Sequence, residues 1–222
     1  MTMRERVRLA VGLTVLGNVL LVLPLSMAAI TFLRGRMFLY CDFARMGASD
    51  PGSFLCADGI SYIAPGLVLG IFVALLFLAA ALAVAIWIPR PLSAVRAAAC
   101  VAIASLVFTV VASVVASGNR NPGSNIPVGV WSLVMATPSV LFSLAAVALA
   151  VTGATRSPVA IRVTLSVALG LILAATLVEP TLAFGTAPAV MAVGAALFLS
   201  SHAVFPQARS RADARGASPV SG

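Results

Sequence analysis

Glu179 stands directly before Pro180, inside a stretch that is otherwise almost wholly apolar. A carboxylate at membrane depth can relay protons or bind a cation, and the proline would free a nearby backbone carbonyl. Asn18, Thr137 and Ser139 also interrupt apolar runs. Asn18 can hydrogen-bond across helices. Thr137-Pro138-Ser139 marks a kink or a cavity-lining break, and Pro24 does the same in the first run. Asn18, Thr137, Ser139 and Glu179 form a candidate polar lining for an ion or a small solute. Counted from Val159, Glu179 is residue 21 of its run, which places it at the interface rather than mid-bilayer.

Cys41 and Cys56 share one polar segment with 14 residues between them. Outside the cytoplasm such a pair can form a structural disulfide. Closing that loop is worth roughly 3 kcal/mol by the chain-entropy relation. Thiol exchange is the sharper alternative, but no Cys-x-x-Cys pair is present to support it. Asp42, Asp50 and Asp58 accompany the cysteines, yet their spacing matches no Asp-x-Asp-x-Asp-Gly cation loop. No metal site is expected. Cys100, in an apolar run, is expected to behave as a small buried hydrophobe. A single His, His202, cannot complete a Ser–His–Asp set. No phosphate-binding G-x-x-x-x-G-K-[ST], no H-E-x-x-H and no G-x-S-x-G occurs, so neither a cofactor nor enzymatic activity is expected.

The elements that must position these residues follow from composition. Of 222 residues, 61% are hydrophobic and 9% charged, and the mean hydropathy is +1.12. A soluble domain carries about a quarter charged residues. Lipid offers the backbone no hydrogen bonds, so apolar spans must be helices or closed barrels. These runs lack strict alternation and read as helices. Six spans are expected, near 9–33, 61–88, 97–117, 129–152, 159–178 and 187–205. The last two are separated by Glu179-Pro180 and the Gly185–Pro188 segment. The fold class is therefore an all-α, six-helix transmembrane bundle forming one domain over 1–206. A loop of residues 34–60 follows the first span, and a Ser/Gly-rich tail, 207–222, is expected to be disordered. The first run follows Arg4, Arg6 and Arg8 like a signal peptide, but it exceeds the roughly 7–15 apolar residues of one. Gly66 and Gly70 form a GxxxG, and Gly185 with Ala189 repeats the small-xxx-small spacing; both allow close helix approach. Trp87, Trp131 and Tyr62 fall near span ends, as in an aromatic belt.

Charge sets the threading. The chain has 14 basic residues, all Arg, against 6 acidic ones. With the N-terminus inside, six crossings leave ten arginines in cytoplasmic segments and four outside. That obeys the positive-inside rule and places both termini in the cytoplasm. Arg34 and Arg36 oppose it locally. The net charge of +8 thus reads as a threading signal rather than a nucleic-acid surface. Arg90/Arg96 and Arg156/Arg162 recur 66 residues apart, which the same charge rule explains without a duplication. The absence of Lys points to a GC-rich, prokaryotic genome. The expectation is a multi-pass protein of the plasma membrane, non-enzymatic, assembling with itself or another membrane protein. A small transporter or permease subunit is the alternative, and an exoplasmic redox protein using Cys41 and Cys56 ranks last.

Overall fold

The computed structural model describes residues 3–37, 41–42, 55–56, 60–87, 91–118 and 130–202. The described residues form helices α1 (Met3–Gly35), α2 (Ile60–Trp87), α3 (Pro91–Gly118), α4 (Val130–Ala154), α5 (Pro158–Val178) and α6 (Ala183–His202). A 3₁₀ turn, Pro180–Leu182, joins α5 to α6. Two-residue strands β1 (Cys41–Asp42) and β2 (Leu55–Cys56) pair antiparallel between α1 and α2. The fold is thus all-helical, as expected. The expected tail 207–222 lies outside the described residues.

Four helical segments are long and apolar enough to cross a membrane: Leu92–Ala116, Trp131–Ala154, Pro158–Val178 and Pro180–Ser201. In α1, Val11–Gly17 and Val19–Gly35 qualify together across a 44° bend. Within α2, Ile63–Phe77 is a continuous apolar stretch among the described residues.

Proline stands both inside these helices, at Pro24, Pro65, Pro138 and Pro188, and at their ends. Pro91 and Pro158 open α3 and α5, where the missing N–H is an orphan in any case and φ is already helical. α3 therefore starts six residues before the expected Ala97, and Arg96 lies within it. The α5–α6 boundary also differs from expectation. The break falls at Glu179 alone, with φ −137° and ψ 86°, because a residue before proline is pushed out of the helical region. Gly185 and Pro188 lie inside α6, which runs through both.

α3, α4, α5 and α6 form a closed ring in which each packs on the next and α6 returns to α3. α1 lies against α6, and α2 lies mainly against α1. α6 is the centre: 56% of its span is buried, against 28–33% for the other three spans. Its inner residues include Phe184, Ala189, Val193 and Ala196. α5 contributes Ile161, Leu165, Ala168, Ile172 and Ala175, spaced by threes and fours as one helical face. The outside is equally apolar. Leu133 is 85% exposed and Leu177 82%. Large apolar surfaces on α1 to α5 are what a bilayer-embedded protein requires and what a soluble monomer avoids.

Candidate functional site

Among the described residues Glu179 is the buried acidic side chain. Pro180 ends α5 and turns the chain at Glu179, whose side chain is only 7% exposed. Leu182 N–H donates to the Glu179 carbonyl at 3.0 Å, which fixes the turn. Arg36 arrives from α1. Its backbone and that of Met37 both donate to the Phe32 carbonyl, wrapping the end of the helix. Beneath, the Phe32 and Phe184 rings lie 5.6 Å apart, seating α1 on α6. The Arg36 Nε then donates to Glu179 Oε1 at 3.2 Å and lies 3.1 Å from Oε2. Thr181 Oγ1 donates to Oε1 at 2.6 Å. The carboxylate is thus charge-paired and hydrogen-bonded on the protein side, with Arg36 itself 48% exposed. A carboxylate held in this way joins α1 to the α5–α6 turn.

Sequence reasoning singled out Glu179 and missed Arg36, which lies 143 residues away. A signal was present. Arg36 violates the charge rule, and Glu179 is the acid assigned to the same side at a span end.

A second polar set runs round the ring. Trp131 Nε1 donates to Ser113 Oγ at 2.9 Å between α4 and α3. Thr152 and Thr164 hydroxyls lie 2.7 Å apart between α4 and α5. Thr176 donates to Thr186 at 2.8 Å between α5 and α6. Ser105 donates to the Gly185 carbonyl at 2.7 Å between α3 and α6. Among the described residues each interface of the ring therefore carries at least one side-chain hydrogen bond. Trp131 uses its indole inward rather than as a lipid-facing belt residue. Near the other end of the ring, Arg162 donates through Nε and Nη2 to the Ser200 carbonyl at 3.2 and 2.9 Å, and to that of Ser201 at 3.3 Å.

The other expected residues are dispersed. Thr137 is exposed on α4. Ser139 is half-buried, and its Oγ is buried without a hydrogen-bond partner. Asn18 lies at the 44° bend of α1, and its side chain is outside the described residues. Thr137 on the outer surface and Glu179 against Arg36 face different surroundings. Gly66 and Gly70 pack within the chain. A Cβ on Gly66 would stand 3.1 Å from Ile30 Cα, and one on Gly70 2.8 Å from Ser26 Cα, so α1 and α2 touch backbone to backbone. A Cβ on Gly185 would instead meet the Thr109 side chain, 2.9 Å from its Cβ. Cys100 corrects an expectation: it is exposed on α3, because in lipid the outer face is as apolar as the core.

The register of β1 and β2 sets Cys41 directly opposite Cys56. Their side chains, those of Tyr62, Trp87 and His202, and the whole of Asp50 and Asp58 lie outside the described residues. No group of three His, Cys, Asp or Glu residues fit to hold a metal is found among the described residues. A groove of about 200 Å³ opens between α2 and α3, lined by Val73, Phe77, Val101, Ala104 and Phe108; it is apolar, and Ser105 at its wall is bonded to Gly185.

No protein-family model matches the chain, and no similar protein is found among curated sequences or solved structures.

Proposed function

We propose that this chain is a six-span, non-enzymatic protein of the plasma membrane that acts as a packing subunit, assembling with itself or with another membrane protein. The observation that carries this reading is the ring of α3 to α6, in which each interface has a satisfied polar bond around a closely packed core. A bundle built this way favours one fixed arrangement over a moving one. α1 and α2 supply the other two crossings: at 33 and 28 residues both are long enough at about 1.5 Å per residue. Both termini are cytoplasmic, with ten arginines inside and four outside. The loop 34–60 then faces the compartment in which a Cys41–Cys56 disulfide can persist.

A partner helix has a surface to use. α4 turns Ser132, Ala136, Ser143 and Ala150 outward, small side chains that permit close approach in lipid. The rival reading as a transporter or permease subunit draws little support: Thr137 faces outward, and Glu179 is taken up by Arg36 and Thr181.

Reporter fusions within residues 34–60 and within residues 119–129 should read as exoplasmic, and fusions after Ser157 and at the C-terminus as cytoplasmic. The opposite pattern overturns the threading. In mild detergent the protein should run as an oligomer or with a co-purifying membrane protein, and Ala136→Leu should shift it to the monomer. A wild-type monomer without companions sinks the assembly reading.

A further inference from the structure

We propose that Cys41 and Cys56 are joined in an intramolecular disulfide that staples the outer ends of α1 and α2. The inference rests on the exoplasmic placement of residues 34–60. Independently, it stands on the register of the short ladder, in which Cys41 pairs with Cys56 and Asp42 with Leu55. Residues directly opposite on antiparallel strands have Cα atoms about 4.5 or about 5.5 Å apart, depending on the type of pair. A disulfide spans Cα separations of about 4.4 to about 6.8 Å, so either type accommodates it. A register slipped by one residue would oppose Cys41 to Leu55 or to Ala57 and forbid the bond. The chain has only three cysteines, and the third, Cys100, lies within α3, so the pairing has no competitor in the loop.

The position gives the bond its effect. Cys41 follows the buried Met37 by four residues, and Cys56 precedes the start of α2 by four. The staple therefore closes the open end of a helix pair that Gly66 and Gly70 already bring into backbone contact. Formation removes two protons and two electrons from the thiols and passes the electrons to an exoplasmic dithiol–disulfide oxidant, whose own disulfide is reduced to two thiols.

The full-length protein, extracted without reductant, denatured and alkylated with a maleimide of known mass, tests this by intact mass. One label per chain is expected, on Cys100, rising to three after reduction. Cys41→Ser should take two labels without reductant and Cys100→Ser none. Three labels on unreduced wild type, or a reductant-sensitive dimer on a gel, overturn the proposal. The reporter fusions separate the two failures. Three labels with the loop outside refute the bridge alone, whereas a cytoplasmic loop refutes the threading on which it rests. In folded protein, reductant should lower the thermal midpoint of wild type and leave the Cys41→Ser/Cys56→Ser variant unmoved; an equal drop in both counts against a staple.

Discussion

In the α3–α6 ring, Ser, Thr and Trp side chains tie each helix to its neighbours, whereas α1 and α2 meet where two glycines let the backbones touch. The ring closes on itself, and the α1–α2 hairpin attaches to it mainly through α1, with a smaller contact of α2 on α3 at Phe72 and Phe108. Inside a bilayer, burying apolar surface gains nothing over lipid, so association relies on close packing and interhelical hydrogen bonds. The ring uses both devices, since Gly185 brings α6 against Thr109 while its carbonyl accepts from Ser105. The hairpin relies on shape, and one ion pair, Arg36–Glu179, links it to the α5–α6 turn. Hydrogen bonds fix rotation and depth in the ring, while the hairpin contact depends on steric fit at Gly66 and Gly70. The ring should therefore behave as one cooperative unit and the hairpin as a separable one.

Substitutions at the two kinds of interface test that separation, with the thermal midpoint in detergent and proteolysis of the released segment as readouts. Gly185→Val should be the most damaging. Its side chain would enter Thr109 at the centre of the bundle, and overpacking of this kind costs about 3 kcal/mol or more, with loss of the whole fold. Gly70→Val forces a similar clash with Ser26, but its cost of about 2 kcal/mol should fall on the hairpin, leaving the ring protease-resistant. Equal unfolding of ring and hairpin in that variant would end the distinction. Glu179→Gln keeps shape and removes the charge facing Arg36. About 1 to 2 kcal/mol should be lost, since Arg36 is half-exposed and regains water, and Arg36→Gln should add little in the double variant. Thr176→Val removes the hydroxyl that meets Thr186 and the Ile172 carbonyl and should cost about 0.6 kcal/mol, as interhelical bonds in lipid do. Gly170→Ala meets nothing within 4 Å and should be neutral, a control that glycine matters here only where helices meet.

Helix existence was legible in the sequence, but proline marked the expected boundaries only at α5: Pro91 opens α3 six residues early, and Pro24, Pro65, Pro138 and Pro188 lie inside helices. Pro158 opens α5 one residue from the expected start, and Pro180 closes it at the expected Val178. The start of α6 was misplaced because Gly185 reads as a breaker in an aqueous chain. In this bundle it is a contact point, and nothing in its local sequence names Thr109 as the reason. The inward faces were poorly legible. In a soluble helix polar residues mark the outside, but here Leu133 and Leu177 face out while Ser105, Thr109 and Ser113 face in. Cys100 was misassigned for the same cause. Glu179 was legible as a position of interest. Its partner was not, because long-range pairing between Arg36 and Glu179 leaves no periodic trace.

Arg162 has a consequence for how the chain is made. Its guanidinium closes the last carbonyls of α6, yet α5 emerges from the ribosome before α6 exists. In the proposed threading the residue is therefore a topogenic charge first, holding the start of α5 at the cytoplasmic face, and an end-cap only after Ser200 and Ser201 arrive. Biogenesis and final stability share one side chain, so an Arg162→Gln variant should show two separate defects: a fraction of chains inserted with α5 inverted, and a frayed α6 in the fraction inserted correctly.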